Sequence, residues 1–104
     1  MAQYLFVYHG GGMPESEEEG RKVMEAWGQG FASMGDKVVD GGKPVGPSST
    51  VASDGGVVND GGANPATGYG VFEAKDLDEA LAMAKGCPVL SSGGSVEVAE
   101  TFDP

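Results

Sequence analysis

His9 is the one histidine of this 104-residue chain, and its imidazole is the side chain best suited to proton transfer. It ends the apolar run QYLFVYH and directly precedes three glycines, residues 10–12. An imidazole with an ordinary pKa of about 6.5 exchanges protons near neutral pH, so His9 is a candidate general acid or base. A histidine at a strand end is also commonly a hydrogen-bonded structural residue. Both interpretations are therefore open from the sequence.

Two further polar residues are candidates to act with His9. Asp40 ends the run KVVD, and Tyr69 follows Gly68 at the start of another β-rich run. In the topology predicted below, these positions meet at the end of the sheet that carries His9. A carboxylate beside the imidazole would fix one tautomer and raise its pKa. We therefore predict His9, Asp40 and Tyr69 as catalytic residues lining a pocket, with Asp60 as the reserve partner of the histidine.

Other kinds of site lack the residues they need. No Lys-Ser/Thr pair follows the glycines at 10–12, and no G-x-G-x-x-G opens a helix, so a phosphate loop is not predicted. Glu15 and the glutamates at 17–19 read as the start of a helix on the surface rather than a metal site. Cys87 reads as an inert buried thiol. The sequence therefore predicts neither a cofactor nor a metal.

Composition limits the partners of the chain. Sixteen acidic residues against six basic ones give a formal net charge of -10, which would repel nucleic acid and anionic membranes. The start MAQYLFVY has no basic segment and is too short to cross a bilayer, so neither a signal peptide nor a membrane anchor is predicted. Because Cys87 is the single cysteine, no internal disulfide can form, and a cytoplasmic location is expected.

The elements that must position these residues are clearest at residues 68–88, GYGVFEAKDLDEALAMAKGCP. A short β-rich run comes first, after which Asp76 can cap a helix, with Glu79 three residues later. Gly86 is predicted to end this helix in a left-handed conformation, and Pro88 prevents its continuation. The predicted apolar stripe of the helix comprises Leu77, Ala80, Leu81 and Ala84.

The first third of the chain predicts a strand and a second helix. The run at residues 3–9 is apolar on both faces, as in a central strand whose sheet is covered on both sides. A glycine-rich loop at residues 10–14 precedes a helix that Ser16 and Glu19 cap and Gly35 ends. The predicted core face of this helix comprises Val23, Met24, Trp27, Phe31 and Met34.

The remaining segments complete the fold prediction. A short strand at residues 37–40 precedes a small ribbon, residues 50–52 and 57–58, around the turn Ser53-Asp54-Gly55-Gly56. The run at residues 95–102 predicts a last strand with Val96, Val98 and Phe102 on one side. This order predicts an α+β fold that forms one domain over residues 1–104. The predicted topology is ferredoxin-like, β-α-β-β-α-β, with an extra β-ribbon. Both helices are expected on one face of a four-stranded antiparallel sheet.

Several segments together resemble the YCII-related family, including its DGPF subgroup. They are the opening strand, the loop Asp60-Gly61-Gly62, residues 68–81, the GCP at residues 86–88 and the GGSVEV at residues 93–98. The resemblance implies a dimeric α/β barrel, in which two sheets stack. The loop reads Asp60-Gly61-Gly62-Ala63, whereas the subgroup has Asp-Gly-Pro-Phe, so only the first two residues of the motif are present. In addition, no histidine lies on the first helix. The catalytic His-Asp pair of the family is therefore not carried over.

The apolar first strand also predicts a homodimer, because two helices can cover only one face of the sheet. The face bearing Tyr4, Phe6 and Tyr8 is assigned to the partner copy.

Two functions are consistent with these features. One is a small-molecule enzyme, of lyase or proton-transfer type, that acts on a hydroxylated or aromatic ring with His9 as acid or base. The other is a non-catalytic dimeric module that binds a ligand or serves as an accessory protein.

Overall fold

The computed structural model describes residues 1–11 and 16–103, so the predicted loop at residues 10–14 lies largely outside the described residues. In chain order the elements are β1 (Ala2–His9), α1 (Glu17–Met34), β2 (Val38–Asp40), β3 (Thr50–Val51), β4 (Val57–Val58), β5 (Ala66–Ala74), α2 (Leu77–Ala84) and β6 (Ser95–Glu100). Short 3₁₀ helices occupy Gly35–Lys37 and Pro88–Ser92. The described residues form a mixed α+β fold with two α-helices and a four-stranded antiparallel sheet, as the α+β prediction requires.

Four strands form one sheet in the order β2-β5-β1-β6, and every neighbouring pair is antiparallel. Tyr4 lies opposite Phe72 of β5, and Phe6 lies opposite Val98 of β6. Because β5 separates β1 from β2, α1 connects two parallel strands that are not neighbours. The segment containing α2 connects β5 to β6 around β1 in the same way.

One face of the sheet carries the core, and both helices pack on it. Tyr4, Phe6 and Phe72 are the largest fully buried side chains, and the rings of Phe6 and Phe72 lie 4.5 Å apart. The cluster that they form includes Ala80 and Ala84 of α2 and is covered by residues of α1. The assignment of the Tyr4, Phe6 and Tyr8 face to a partner copy is therefore wrong. The helices cover that face, since its large aromatic side chains offer the most apolar area to bury.

The opposite face of the sheet, here called the open face, carries smaller apolar side chains. Leu5 lies opposite Val71 and Ala99, and Val7 lies opposite Tyr69. Leu5, Val7 and Val71 are half-buried, while Tyr69 is exposed. No described element packs over these residues, so the face is apolar at its centre and has only one layer of structure behind it.

Helix α1 begins and ends as predicted. The side chain of Ser16 accepts a hydrogen bond from the backbone N–H of Glu19 at 3.1 Å, and Gly35 ends the helix with φ 56°. Trp27, Phe31 and Met34 pack against the core. Met24 was predicted on the same face but is 76% exposed. Its position is at the edge of the apolar stripe, so its side chain faces solvent rather than the sheet.

Helix α2 follows the predicted start but has a narrower buried face. Asp76 accepts a hydrogen bond from the N–H of Glu79 at 2.9 Å, and Ala80 and Ala84 are buried. Leu77 and Leu81 are exposed, so only the alanine half of the predicted stripe faces the core. The small alanines let the helix lie close to the sheet. Gly86 does not take the left-handed conformation predicted for it.

The ribbon formed by β3 and β4 has the predicted turn. Val51 pairs with Val57, and Asp54 accepts a hydrogen bond from the N–H of Gly56 at 2.8 Å. Gly42, before the ribbon, has φ 73° and passes so close to β5 that a Cβ there would overlap the carbonyl group of Tyr69. Strand β6 ends earlier than predicted, at Glu100, and Phe102 is 84% exposed.

Candidate functional site

His9 is buried at the end of β1, on the side of the sheet opposite the helices. A bulge between Tyr8 and His9 places His9 opposite Ala66 of β5. Its Nε2 lies 2.9 Å from Oε1 of Glu97 on β6, and its Nδ1 lies 3.2 Å from the carbonyl oxygen of Pro65. The ring is only 10% exposed, and its partner Pro65 belongs to the chain returning from the ribbon. Burial and two hydrogen bonds therefore fix the imidazole in one orientation.

The partners of the ring favour its charged form. A carbonyl oxygen and a carboxylate are both acceptors, so both nitrogens must carry a proton for both hydrogen bonds to form. The hydrogen bond to Glu97 is the main cause that raises the pKa of His9 above its ordinary value. Burial opposes this effect, and the backbone carbonyl groups of Pro65 and Asn64 reinforce it. The two acceptors therefore favour the imidazolium form of His9 over the neutral ring.

This arrangement limits the chemistry of His9. A general base needs an unprotonated nitrogen that can reach a substrate, but one nitrogen faces Pro65 and the other faces Glu97. A general acid would need Glu97 to move aside, which its 66% exposed side chain has room to do. In the arrangement described, His9 ties β1, β6 and the loop before β5 together.

The other residues predicted to be catalytic make no hydrogen bond to the His9 ring among the described residues. Asp40 is exposed, and its Oδ1 accepts a hydrogen bond from the N–H of Gly42 at 2.8 Å. Tyr69 lies on the open face, opposite Val7. The reserve candidate Asp60 accepts a hydrogen bond from the N–H of Gly62 at 3.0 Å. Among the described residues, the hydrogen-bond partners of the His9 ring are Glu97 and Pro65. Neither Asp40 nor Asp60 is therefore the carboxylate beside the histidine.

Glu97 is the partner that the sequence reasoning missed. In the run SVEVAE, Val96 and Val98 point towards the core, so Glu97 must point to the opposite side, as His9 does beside the core residue Tyr8. This alternation was readable in the sequence. What was missing was the register of β6 on β1, which places Glu97 opposite Val7, diagonal to the histidine.

A cleft of about 520 Å³ lies on the other side of the molecule, between α1 and the segment that follows α2. Its polar lining residues are Lys22, Lys85, Gln29, Ser33, Ser91 and Ser92. None of the described residues that line it is acidic. Lys22 also lies 3.8 Å from Glu18 on the same helix, in an exposed and therefore weak ion pair. The cleft is thus locally basic in an acidic protein.

Cys87 lines this cleft and is itself buried. Burial raises the pKa of the Cys87 thiol, so the reactive thiolate is disfavoured. Next to it lies Tyr8, whose buried hydroxyl interacts with the Cys87 thiol but makes no hydrogen bond of good geometry to the described residues. Burial also raises the pKa of Tyr8, which therefore stays a neutral donor. The burial of Cys87 agrees with the sequence interpretation.

A second depression, of about 430 Å³, lies beside the loop that covers His9. It is lined by residues of the stretches 45–48 and 59–67, including Asp60 and Pro65. This depression lies near the position predicted for the pocket. Its lining residues do not include His9, Asp40 or Tyr69.

No protein-family model matches the chain, and no curated protein matches it significantly. Within residues 1–11 and 16–103, no three histidine, cysteine or acidic side chains are grouped as a metal site would need. No helix in the same part of the chain is long and apolar enough to cross a membrane.

Proposed function

We propose that this protein is a non-catalytic homodimeric module that binds a small anionic molecule in the cleft between α1 and residues 85–92. The observation that carries this proposal is the charge of the cleft. Two of the six basic residues of the chain line it, together with three serine residues, and none of the sixteen acidic residues is among the described lining residues.

The ligand class follows from these groups. Ammonium and hydroxyl donors favour carboxylate or phosphate oxygens, and charge-assisted hydrogen bonds are about twice as strong as neutral ones. With a net charge of -10, the protein as a whole repels anions, so the local lysines must overcome that repulsion. The volume of about 520 Å³ suits a metabolite-sized molecule.

The dimer is supported by the open face and by the total surface of the chain. The chain exposes 7065 Å². A compact monomer of this mass exposes about 5,400 Å². The surplus of about 1,600 Å² is twice the roughly 800 Å² that each partner contributes to an interface of standard size. Stacking two open faces would bury Leu5, Val7 and Val71.

The sheet order β2-β5-β1-β6, with both helices on one face, supports a ferredoxin-like plan and its pairing as a dimeric α/β barrel, as the resemblance to the YCII-related family implies. We also place the protein in the cytoplasm. Its single cysteine is free and buried, which fits a reducing compartment.

Calorimetric titration with inorganic phosphate, citrate and other small di- and tricarboxylates tests the ligand proposal. We expect at least one of these anions to bind, and the double variant Lys22→Gln/Lys85→Gln to weaken that binding about tenfold or more. The matched control is Lys43→Gln/Lys75→Gln, which changes the net charge equally outside the cleft. If no anion binds, or if the two variants bind equally, the cleft is not the site.

A second candidate function, an enzyme using His9 as a general acid, is favoured by one observation. Glu97 supplies the carboxylate that raises the pKa of the imidazole. Turnover assays on every ligand that binds, repeated with His9→Gln, separate the two functions. Turnover that His9→Gln abolishes, while the variant stays folded and still binds the ligand, would replace the module with an enzyme.

The interface has its own test. Leu5→Asp places a charge at the centre of the open face, and we expect it to make the protein monomeric in sedimentation velocity while its circular dichroism stays unchanged. Ala32→Asp, on the exposed side of α1, is the control and should remain dimeric. A wild-type protein that sediments as a monomer would contradict the proposed dimer.

A further inference from the structure

The ribbon between β2 and β5 leaves the body of the protein as an arm, defined here as residues 46–64. At its base, the N–H of Val45 donates to the carbonyl oxygen of Thr67 at 3.0 Å, and Pro65 accepts from His9. Beyond these points the arm contains the two-residue strands β3 and β4. All residues from 51 to 60 are exposed.

The arm presents apolar side chains to solvent. Val51, Val57 and Val58 are 70%, 63% and 52% exposed. A two-stranded ribbon in water is at best marginally stable by itself and needs a further strand or a packing surface. Packing its exposed β-branched residues on a further surface would stabilise the ribbon, and the other described residues do not cover them.

The molecule is less compact than a chain of this length usually is. The radius of gyration is 14.9 Å, whereas a compact chain of this length has about 13 Å. The principal extents are 43 × 43 × 18 Å, so the molecule is a thin slab of one sheet and one helix layer. The nine residues from the base to the tip of the arm can span about 30 Å. Stacked sheets lie only about 10 Å apart, so a copy stacked on the open face is within reach.

The base of the arm borders the open face. The imidazole that holds Pro65 also pairs with Glu97, which lies on that side of the sheet, opposite Val7. Thr67, just after the arm, places its Oγ1 within 3.2 Å of the carbonyl oxygen of Tyr8 and 3.0 Å of that of Gly10. The arm is therefore fixed to β1 at the rim of the proposed interface, which it continues.

We infer that the arm packs its valines on a second copy of this chain, so that the arm of each protomer of the dimer contacts the other protomer. This inference rests on the proposed sheet-face dimer and extends it. The arm and the open face are the two unpartnered apolar surfaces next to each other, and one symmetric assembly buries both. The only charged residues in the arm are Asp54 and Asp60, so an anionic polymer is not a fitting occupant.

Dimer dissociation constants from sedimentation velocity or mass photometry test the arm. We expect Val57→Asp to weaken the dimer about tenfold or more, and Val51→Asp/Val57→Asp to weaken it further. Ser53→Asp adds the same charge at the exposed turn and is the matched control; we expect its dissociation constant to stay within about twofold of wild type. Circular dichroism of each variant should match wild type, since the substituted side chains lie outside the core.

Three results would overturn the inference, and they separate it from the proposed function. If wild type dimerises but Val57→Asp binds as tightly, the arm is not in the interface although the dimer stands. If Ser53→Asp weakens the dimer as much as Val57→Asp does, charge repulsion rather than valine packing is responsible. If wild type is monomeric while Val57→Asp changes nothing, the proposed dimer fails together with the arm.

Discussion

Trp27→Ala is the most direct test of how α1 is held on the sheet. The indole ring lies 4.9 Å from the ring of Tyr8 in an edge-on arrangement and 5.7 Å from that of Phe31. Each aromatic pair contributes about 0.5–1.5 kcal/mol beyond the area that it buries. Truncation of a buried aromatic residue costs about 3–5 kcal/mol, and because Trp27 is half-buried we expect a loss near 3 kcal/mol.

This loss is large for a chain of 104 residues, since folded domains are stable by only about 5–15 kcal/mol. Chemical denaturation followed by far-UV circular dichroism measures it, with all proteins at the same concentration because a dimer gains stability by mass action. The control Met24→Ala lies on the same helix and is 76% exposed. It should change the free energy of unfolding by no more than about 0.5 kcal/mol. A Trp27→Ala loss below about 1 kcal/mol would refute the packing described for α1.

The remaining predictions concern the backbone near β5 and the charged pair at His9. Gly42→Ala should destabilise the protein by more than about 3 kcal/mol, because its Cβ would overlap Tyr69. The control Gly62→Ala, at a residue with φ 87° and open space around it, should cost only about 1–2 kcal/mol. Equal losses of the free energy of unfolding would contradict the close approach of Gly42 to Tyr69. NMR titration should give His9 a pKa above its ordinary value, and Glu97→Gln should lower it; an unchanged value would mean that the pair does not form in solution. Since the folded-state pKa of His9 is raised, its stabilising contribution is complete below the unfolded-state pKa of about 6.5 and is lost as the pH rises through the folded-state value. Denaturation across this range should show that loss in wild type and a smaller one in Glu97→Gln.

Local signals in the sequence were sufficient for much of the fold. Ser16 and Asp76 cap their helices as predicted because each cap depends on residues within one turn. The turn at Asp54 and the stop at Gly35 are equally local. These interactions need no knowledge of distant parts of the chain.

The errors concern contacts between distant segments. Both faces of β1 are apolar, so its sequence cannot say which face the helices take, and Tyr4 was assigned to the wrong side. His9 and Glu97 are 88 residues apart, and only the register of β6 on β1 brings them together. Asp40 was chosen by topology alone, although the Gly42 N–H two residues later engages its carboxylate in a local turn.

The buried hydroxyl of Tyr8 has the Cys87 thiol, a weak hydrogen-bonding group, as its neighbour, so we expect this end of the core to open more easily than the end at Phe6 and Phe72. A buried polar group that is poorly satisfied costs up to about 1–3 kcal/mol, and a fluctuation that admits water to it recovers part of that cost. The ring of Tyr8 packs against Trp27 of α1, and Cys87 lines the basic cleft. Amide hydrogens around this point should therefore exchange with solvent through local opening rather than global unfolding, in contrast to those around Phe6 and Phe72. The same local opening would widen the cleft transiently, so a ligand could enter without unfolding the sheet.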